Sequence, residues 1–189
     1  FRGQMVLRGG GCEVDFGWYN VDLDSDEPPA DDEIYPLITK EQLTEYTPFQ
    51  PYVGQDPIEG ELLANIREDP RYTGGLIGLA VRGEAGTACS QTKYSEHRLN
   101  VQCTPPTCDP AEPWITALVW QSTATPNAFY IGFEDLPMAE DDFRGDEHNW
   151  YPNDGDFNDF VYFVEGITCE GGGQPCLTSA EGACAYGLT

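Results

Sequence analysis

Ten carboxylates lie between Glu134 and Asp159, against a single basic residue, Arg144. Side chains of one sign packed this densely repel one another unless a cation sits among them. The segment closes on Asn153-Asp154-Gly155-Asp156-Phe157-Asn158-Asp159, where Asp154, Asp156 and Asn158 stand at i, i+2 and i+4. In an extended or turning backbone that spacing aims three oxygen-bearing side chains toward one point, and Gly155 permits a tight turn. Calcium takes about six to eight hard oxygen ligands at roughly 2.3–2.6 Å, which is what such a cluster supplies. The ordinary alternative is an Asx-rich turn with solvated charges. The density of acids and the apolar strand that follows them favour Ca2+.

A second acidic run, Asp22-Leu23-Asp24-Ser25-Asp26-Glu27, repeats the alternate spacing. It lacks a Gly in the turn and runs into Pro28-Pro29, so Asp22, Asp24 and Asp26 form a lesser candidate metal site beside the reading of a solvated loop. Trp150 and Tyr151 lie within the first acidic segment. Exposed rings beside a calcium ion would suit a sugar, held by stacking and hydroxyl coordination, whereas rings folded onto the core would be purely structural. Enzyme chemistry finds no foothold. The chain has no G-x-S-x-G, H-E-x-x-H, P-loop or strand-following G-x-G-x-x-G, and a pair of acids at glycosidase spacing arises by chance among 33 carboxylates. Zinc is disfavoured because no C-x2-C pair exists and His97 and His148 stand apart from the cysteine pairs.

The elements that would position these residues follow from composition. The 189 residues carry 33 Asp+Glu against 9 Lys+Arg, a formal charge of -24, which excludes phosphate backbones and anionic lipid surfaces as partners. The 21 Gly and 15 Pro imply many turns and few long helices. Strands are expected at 12–20, 75–82, 98–102, 114–122, 128–136 and 158–166, bounded by Gly, Pro and Asn. In the last, Phe160, Tyr162 and Val164 oppose Val161 and Phe163, the pattern of a central strand covered on both faces. Trp18, Trp114 and Trp120 read as core residues of strands. Thr39 with Gln42 in the capping-box position starts a short helix over 40–46, and Leu62, Leu63 and Ile66 make one face of a second over 58–68. No apolar run reaches the roughly 20 residues a bilayer requires.

Seven cysteines, several in short Gly/Pro-rich loops, point to disulfides and an oxidising compartment outside the cell. Cys103 with Cys108, and Cys169 with Cys176, are candidate closed loops, leaving Cys12, Cys89 and Cys184 with one sulfur in excess. The start at Phe1 suits a mature exported chain or a fragment.

Phe133-Glu134-Asp135-Leu136-Pro137, followed by Asp154-Gly155-Asp156-Phe157-Asn158-Asp159-Phe160-Val161, resembles the DUF4114 family of secreted bacterial domains, over about 40 residues of the chain. The resemblance implies a β-sandwich in which the two acidic half-motifs meet, and makes Glu134, Asp135, Asp154, Asp156, Asn158 and Asp159 the metal-site candidates. The tail is similar to Cys-rich ends of myxobacterial cell-surface proteins, which would let Cys184 pair beyond Thr189. The expected fold is mainly β, an antiparallel, jelly-roll-like β-sandwich over 1–167 with one or two short helices and a disulfide-stapled appendage over 168–189. The expected function is that of a secreted, non-catalytic, calcium-stabilised surface or matrix module. It would work in adhesion or self-assembly, with other copies, matrix components or glycans as partners, and with no nucleic acid bound and no membrane insertion.

Overall fold

The structure, a computed structural model, describes residues 2–43, 50–51, 65–87, 89–101, 115–136, 155–169 and 186–188, the backbone alone at 50, 51, 168, 169 and 186–188. It is mainly β: eleven strands in two antiparallel sheets, one short α-helix and three 3-10 turns among the described residues. The five-stranded sheet runs β4 (Gln50–Pro51), β1 (Arg2–Arg8), β9 (Phe160–Glu165), β8 (Ala128–Phe133), β7 (Ala117–Gln121). The six-stranded sheet runs β10 (Ile167–Cys169), β11 (Tyr186–Leu188), β5 (Leu76–Gly83), β2 (Val14–Asn20), β3 (Tyr35–Ile38), with β6 (Lys93–Tyr94) paired to β5. No helix among the described residues is long and apolar enough to cross a membrane.

Alternation along the strands explains the core. Phe160, Tyr162 and Val164 of β9 are fully buried and share one cluster with Met5, Phe129, Ile131 and Phe133 of their own sheet and with Val14, Phe16 and Trp18 of β2. Phe16 stacks on Tyr162 with ring centroids 3.8 Å apart and meets Phe133 edge-on at 6.3 Å, joining the two sheets through aromatic contacts. The other face of the six-stranded sheet has its own lid, in which Tyr19 and Ala80 lie under Ile34, Tyr94 and Leu99. Helix α1 (Lys40–Leu43) begins as its sequence suggests: the Gln42 amide oxygen accepts the Thr39 N–H at 2.9 Å, and Asp15 Oδ1 accepts the Lys40 N–H at 2.8 Å.

Four expectations change. Residues 98–101 form no strand, because His97–Leu99 is a 3-10 turn and Asn100 folds its side chain back onto the Tyr94 backbone through two hydrogen bonds, at 2.8 and 2.9 Å. The second helix is reduced, in its described part, to the 3-10 turn Ile66–Glu68; residues 58–64 lie outside the described residues. Trp120 is not a core residue: Val119 takes the inward position on β7, so Trp120 faces outward and is 42% exposed. The same alternation leaves Val161 and Phe163 of β9 half-buried rather than covered. Trp18 is buried as expected, and Trp114 lies outside the described residues. Strand β1, with its bulge between Met5 and Leu7, was not foreseen; it pairs along β9 with Met5 opposite Tyr162.

Cys12 and Cys89, left open by sequence, form a disulfide across 77 residues. Cys103, Cys108 and Cys176 lie outside the described residues. Closing so long a loop restricts the unfolded chain, a contribution of about 4 kcal/mol. Replacing both Cys12 and Cys89 by Ala is therefore expected to lower the unfolding free energy by about that amount in a denaturant titration. An unchanged midpoint would show that the crosslink does not constrain the unfolded chain.

Candidate functional site

Both acidic half-motifs reach one corner of the five-stranded sheet because Phe133 and Phe160 are paired across β8 and β9. Glu134 and Asp135 continue from the end of β8, and Gly155–Asp159 leads into β9. The turn uses two left-handed positions, Gly155 at φ 70 and Phe157 at φ 55. Phe157 has a Cβ, so that conformation costs about 1 kcal/mol; the Glu134 carboxylate, 1% exposed, accepts the Phe157 N–H and holds it in place. Asp159 Oδ2 accepts the Asp135 N–H at 2.8 Å, and Asp135 Oδ2 accepts the Cys12 N–H at 3.2 Å. The chain leaving β1 roofs the corner: Gly9 and Gly10 donate to the Asp159 carbonyl at 2.8 and 3.0 Å. A Cβ at Gly9 would collide with the Asn158 side chain, and one at Gly10 with the Asp135 carboxylate. Glycine is needed here for close approach, at negative φ.

The residue that sequence reasoning missed is Lys93. It is 0% exposed and donates to the Gln91 carbonyl at 3.1 Å and toward the Asp135 carbonyl at 3.5 Å. Burial pulls its ammonium down to about 8, while the charges of Asp135, Asp159 and Glu134 hold it up. Lys93 is thus a built-in counterion for the buried acids. The only signal for it in the sequence is scarcity, since nine basic residues in so acidic a chain are each candidates for an internal charge partner.

The predicted site residues divide into two groups. Glu134, Asp135 and Asp159 come together in the sheet corner, committed to backbone N–H groups and facing Lys93. Asp156 and Asn158 are exposed on the turn and bonded to each other, the Asn158 N–H to Asp156 Oδ1 at 3.1 Å and the Asn158 amide to Asp156 Oδ2. Asp154, Trp150 and Tyr151 lie outside the described residues. Among the described residues, the one set of three Cys, His or acidic side chains with ligand atoms within 4.8 Å of one another is Cys12, Cys89 and Asp135. Its two sulfurs are bonded to each other and so are not thiolate ligands.

The second acidic loop carries a cation of its own as well. Arg98 donates to the carbonyls of Asp22 and Ser25, and its Nη1 lies 3.4 Å from Asp26 Oδ1. Its other partner is Glu96, 0% exposed, which it meets at 2.9 and 3.1 Å while Tyr19 Oη donates to the same carboxylate at 3.0 Å. The carboxylates partnering Arg98 raise its pKa against the lowering effect of burial. Asp22 Oδ1 accepts the Asp24 N–H at 3.0 Å in an Asx turn. The loop walls a polar cleft of about 990 Å³ whose other side carries Tyr35, Tyr72 and Arg71. Arg71 lies 4.4 Å over the Tyr35 ring and holds the Asp69 carboxyl down at about 2.

Comparison with family models, curated proteins and solved structures gives no match for this chain.

The folded pKa of Lys93 lies below the ordinary 10.5, so between about 8 and 10.5 the unfolded chain binds more protons than the folded one. The stability contributed by this group therefore grows as pH rises through that window. Denaturant titrations at pH 7, 8, 9 and 10 are expected to show the parent gaining stability relative to Lys93→Met. A difference that stays flat across the series would mean that Lys93 is not held near 8.

Proposed function

We propose that the chain is a secreted, non-catalytic surface or matrix module, a β-sandwich with a stapled C-terminal appendage, in which calcium at the acidic turn completes the sheet corner and serves adhesion or self-assembly. The observation that supports this best is the convergence of Glu134, Asp135, Asn158 and Asp159 beneath Gly9 and Gly10, with Asp156 presented outward beside them. The residue types fit a hard divalent ion. The buried carboxylates already accept N–H groups and are offset by Lys93, so their part is to fix the turn. Asp156 and Asn158, with Asp154 beyond the described residues, are the outward oxygens that would hold a partly hydrated ion. The Cys12–Cys89 disulfide suits an oxidising compartment. The resemblance of Phe133–Leu136 and Asp154–Val161 to the DUF4114 family supports the same location and metal.

A second reading, a carbohydrate-binding module, is favoured by aromatic rings left exposed on the five-stranded sheet: Trp120 at 42% and Tyr130 at 37%.

At calcium ten times above its dissociation constant, one site adds about 1.4 kcal/mol to folding, worth a few degrees in a domain of this size. The melting temperature is expected to rise by that amount from chelator to millimolar calcium. Replacing both Asp156 and Asn158 by Ala should remove the rise, whatever the loss of their mutual hydrogen bonds does to the melt in chelator, because each protein is compared with itself in calcium and in chelator. Identical melts of the parent in calcium and chelator, together with no heat of calcium binding by calorimetry, would remove the ion from the account.

A further inference from the structure

We propose that the outer face of the five-stranded sheet is a binding platform for a neutral polysaccharide, with Trp120, Tyr130 and Phe163 as its stacking rings. Register places the three in one row across neighbouring strands: Trp120 of β7 is opposite Tyr130 of β8, which is opposite Phe163 of β9, and Gln4 of β1 follows. At about 4.8 Å between strands the aromatic part of the row spans roughly 10 Å, the scale of a short run of sugar rings. Tyr130 and Phe163 touch, with centroids 5.0 Å apart. The row behind it is apolar as well, with Leu118, Gly132, Val161 and Leu7 in register.

Tyr130 and Phe163 are tilted by 51° to each other, and Gly132 leaves space for the Trp120 indole beside them. A Cβ there would meet the far edge of the Trp120 indole at 3.0–3.3 Å and collide with the Phe157 carbonyl. The indole leans over the bare glycine beside it. Exposed aromatic faces stacked along a sheet present a negative π surface to the C–H groups of a sugar ring. The row ends on the Gln4 amide, and the next row on the same face carries the Arg2–Glu165 pair, whose charged atoms are 3.4 Å apart; both offer polar atoms to sugar hydroxyls.

Charge selects among the occupants. Aromatic rows also stack nucleobases, but those sites need a basic groove to carry the phosphates, and this chain has a formal charge of -24. The same charge opposes the close approach of a second copy at the row of rings, which lacks the acidic oxygens through which calcium would bridge two copies. An uncharged, flat, C–H-rich polymer pays no such penalty. The contrast between the two sheets agrees with a functional face: the outer side of the six-stranded sheet is covered by Ile34, Tyr94 and Leu99, whereas Trp120 and Tyr130 remain exposed. The platform rests on these rings and not on the calcium reading, although the acidic turn borders it at Gly132.

The test is depletion of the full chain from solution by cellulose, chitin and immobilised mannan, in calcium and in chelator, for the parent, Trp120→Ala, Tyr130→Ala and Trp120→Phe. Circular dichroism and melting curves establish that each variant is folded, as expected for exposed side chains. The parent is expected to bind at least one of the three polymers, in chelator and in 1 M salt alike. Trp120→Ala and Tyr130→Ala should each weaken retention about tenfold, with Trp120→Phe retaining most of it. Retention by none of the polymers, or retention that Trp120→Ala leaves intact, overturns the platform. Retention lost in chelator but insensitive to Trp120 would assign binding to the acidic turn instead. A parent that sediments as a dimer while Trp120→Ala is monomeric would make the face a self-association surface, which equally overturns the proposal.

Discussion

The structure depends on a few cations that a strongly acidic chain keeps for internal use. Lys93 lies buried against Asp135, Asp159 and Glu134, and five residues further on Arg98 binds buried Glu96 and the loop carrying Asp22 and Asp26. One short stretch, β6 with its following 3-10 turn, thus serves both acidic regions that carry the candidate chemistry. Opposite charges inside a protein attract strongly, but only after a desolvation cost that one lone partner cannot offset. Here hydrogen bonds offset part of that cost, and what is left shows as the lowered pKa of Lys93. Lys93 donates to two backbone carbonyls, Glu96 accepts from Tyr19 as well as Arg98, and the sheet-corner carboxylates accept backbone N–H groups. Arg8 is buried as well, bonded to the carbonyls of Leu43 and Cys12 at 2.9 and 3.1 Å.

This internal use of cations has an external consequence. Arg2, Lys40, Arg71, Arg82 and Arg98 all stand in ion pairs with carboxylates of the same chain, so few positive charges are left to face a partner. Among the described residues, positive charge is thus largely matched by the chain's own carboxylates, and divalent cations, basic surfaces and uncharged polymers are the chemistries that an acidic surface meets without like-charge repulsion.

The sequence was legible where one local signal decided the outcome. Apolar runs bounded by Gly, Pro and Asn placed β2, β5, β7, β8 and β9, and the Thr39–Gln42 pair started α1. The described residues of the two acidic half-motifs reach one corner, an arrangement that only the family resemblance had implied. Period alone failed where the two faces of a strand look alike. Both Val119 and Trp120 are apolar, and only pairing with β8 shows which one points inward; Val161 and Phe163 raised the same ambiguity on β9. Asn100 turned the chain by bonding to Tyr94, a six-residue contact that no strand propensity records. Lys93 and the Cys12–Cys89 bridge were hidden for a different reason: each is a long-range pairing, and sequence lists partners without matching them. Lys93 lies 42 residues from Asp135, and the bridge spans 77.

Gly132 shows how closely these layers are tied. Its Cα is the meeting point of the Phe157 carbonyl, which belongs to the acidic turn, and the Trp120 indole, which belongs to the outer face. The left-handed φ of Phe157 is what brings that carbonyl down onto the strand, and the Glu134 carboxylate holds Phe157 there through its N–H. Glu134 is in turn fixed by its own N–H to the Thr116 carbonyl at 3.1 Å, just before β7 begins. A side chain at position 132 would collide with the Phe157 backbone carbonyl and push against the edge of the Trp120 ring. The absence of one methyl group therefore lets a polar turn and an aromatic face share a single strand, so a change in either propagates to the other through backbone contact rather than through charge.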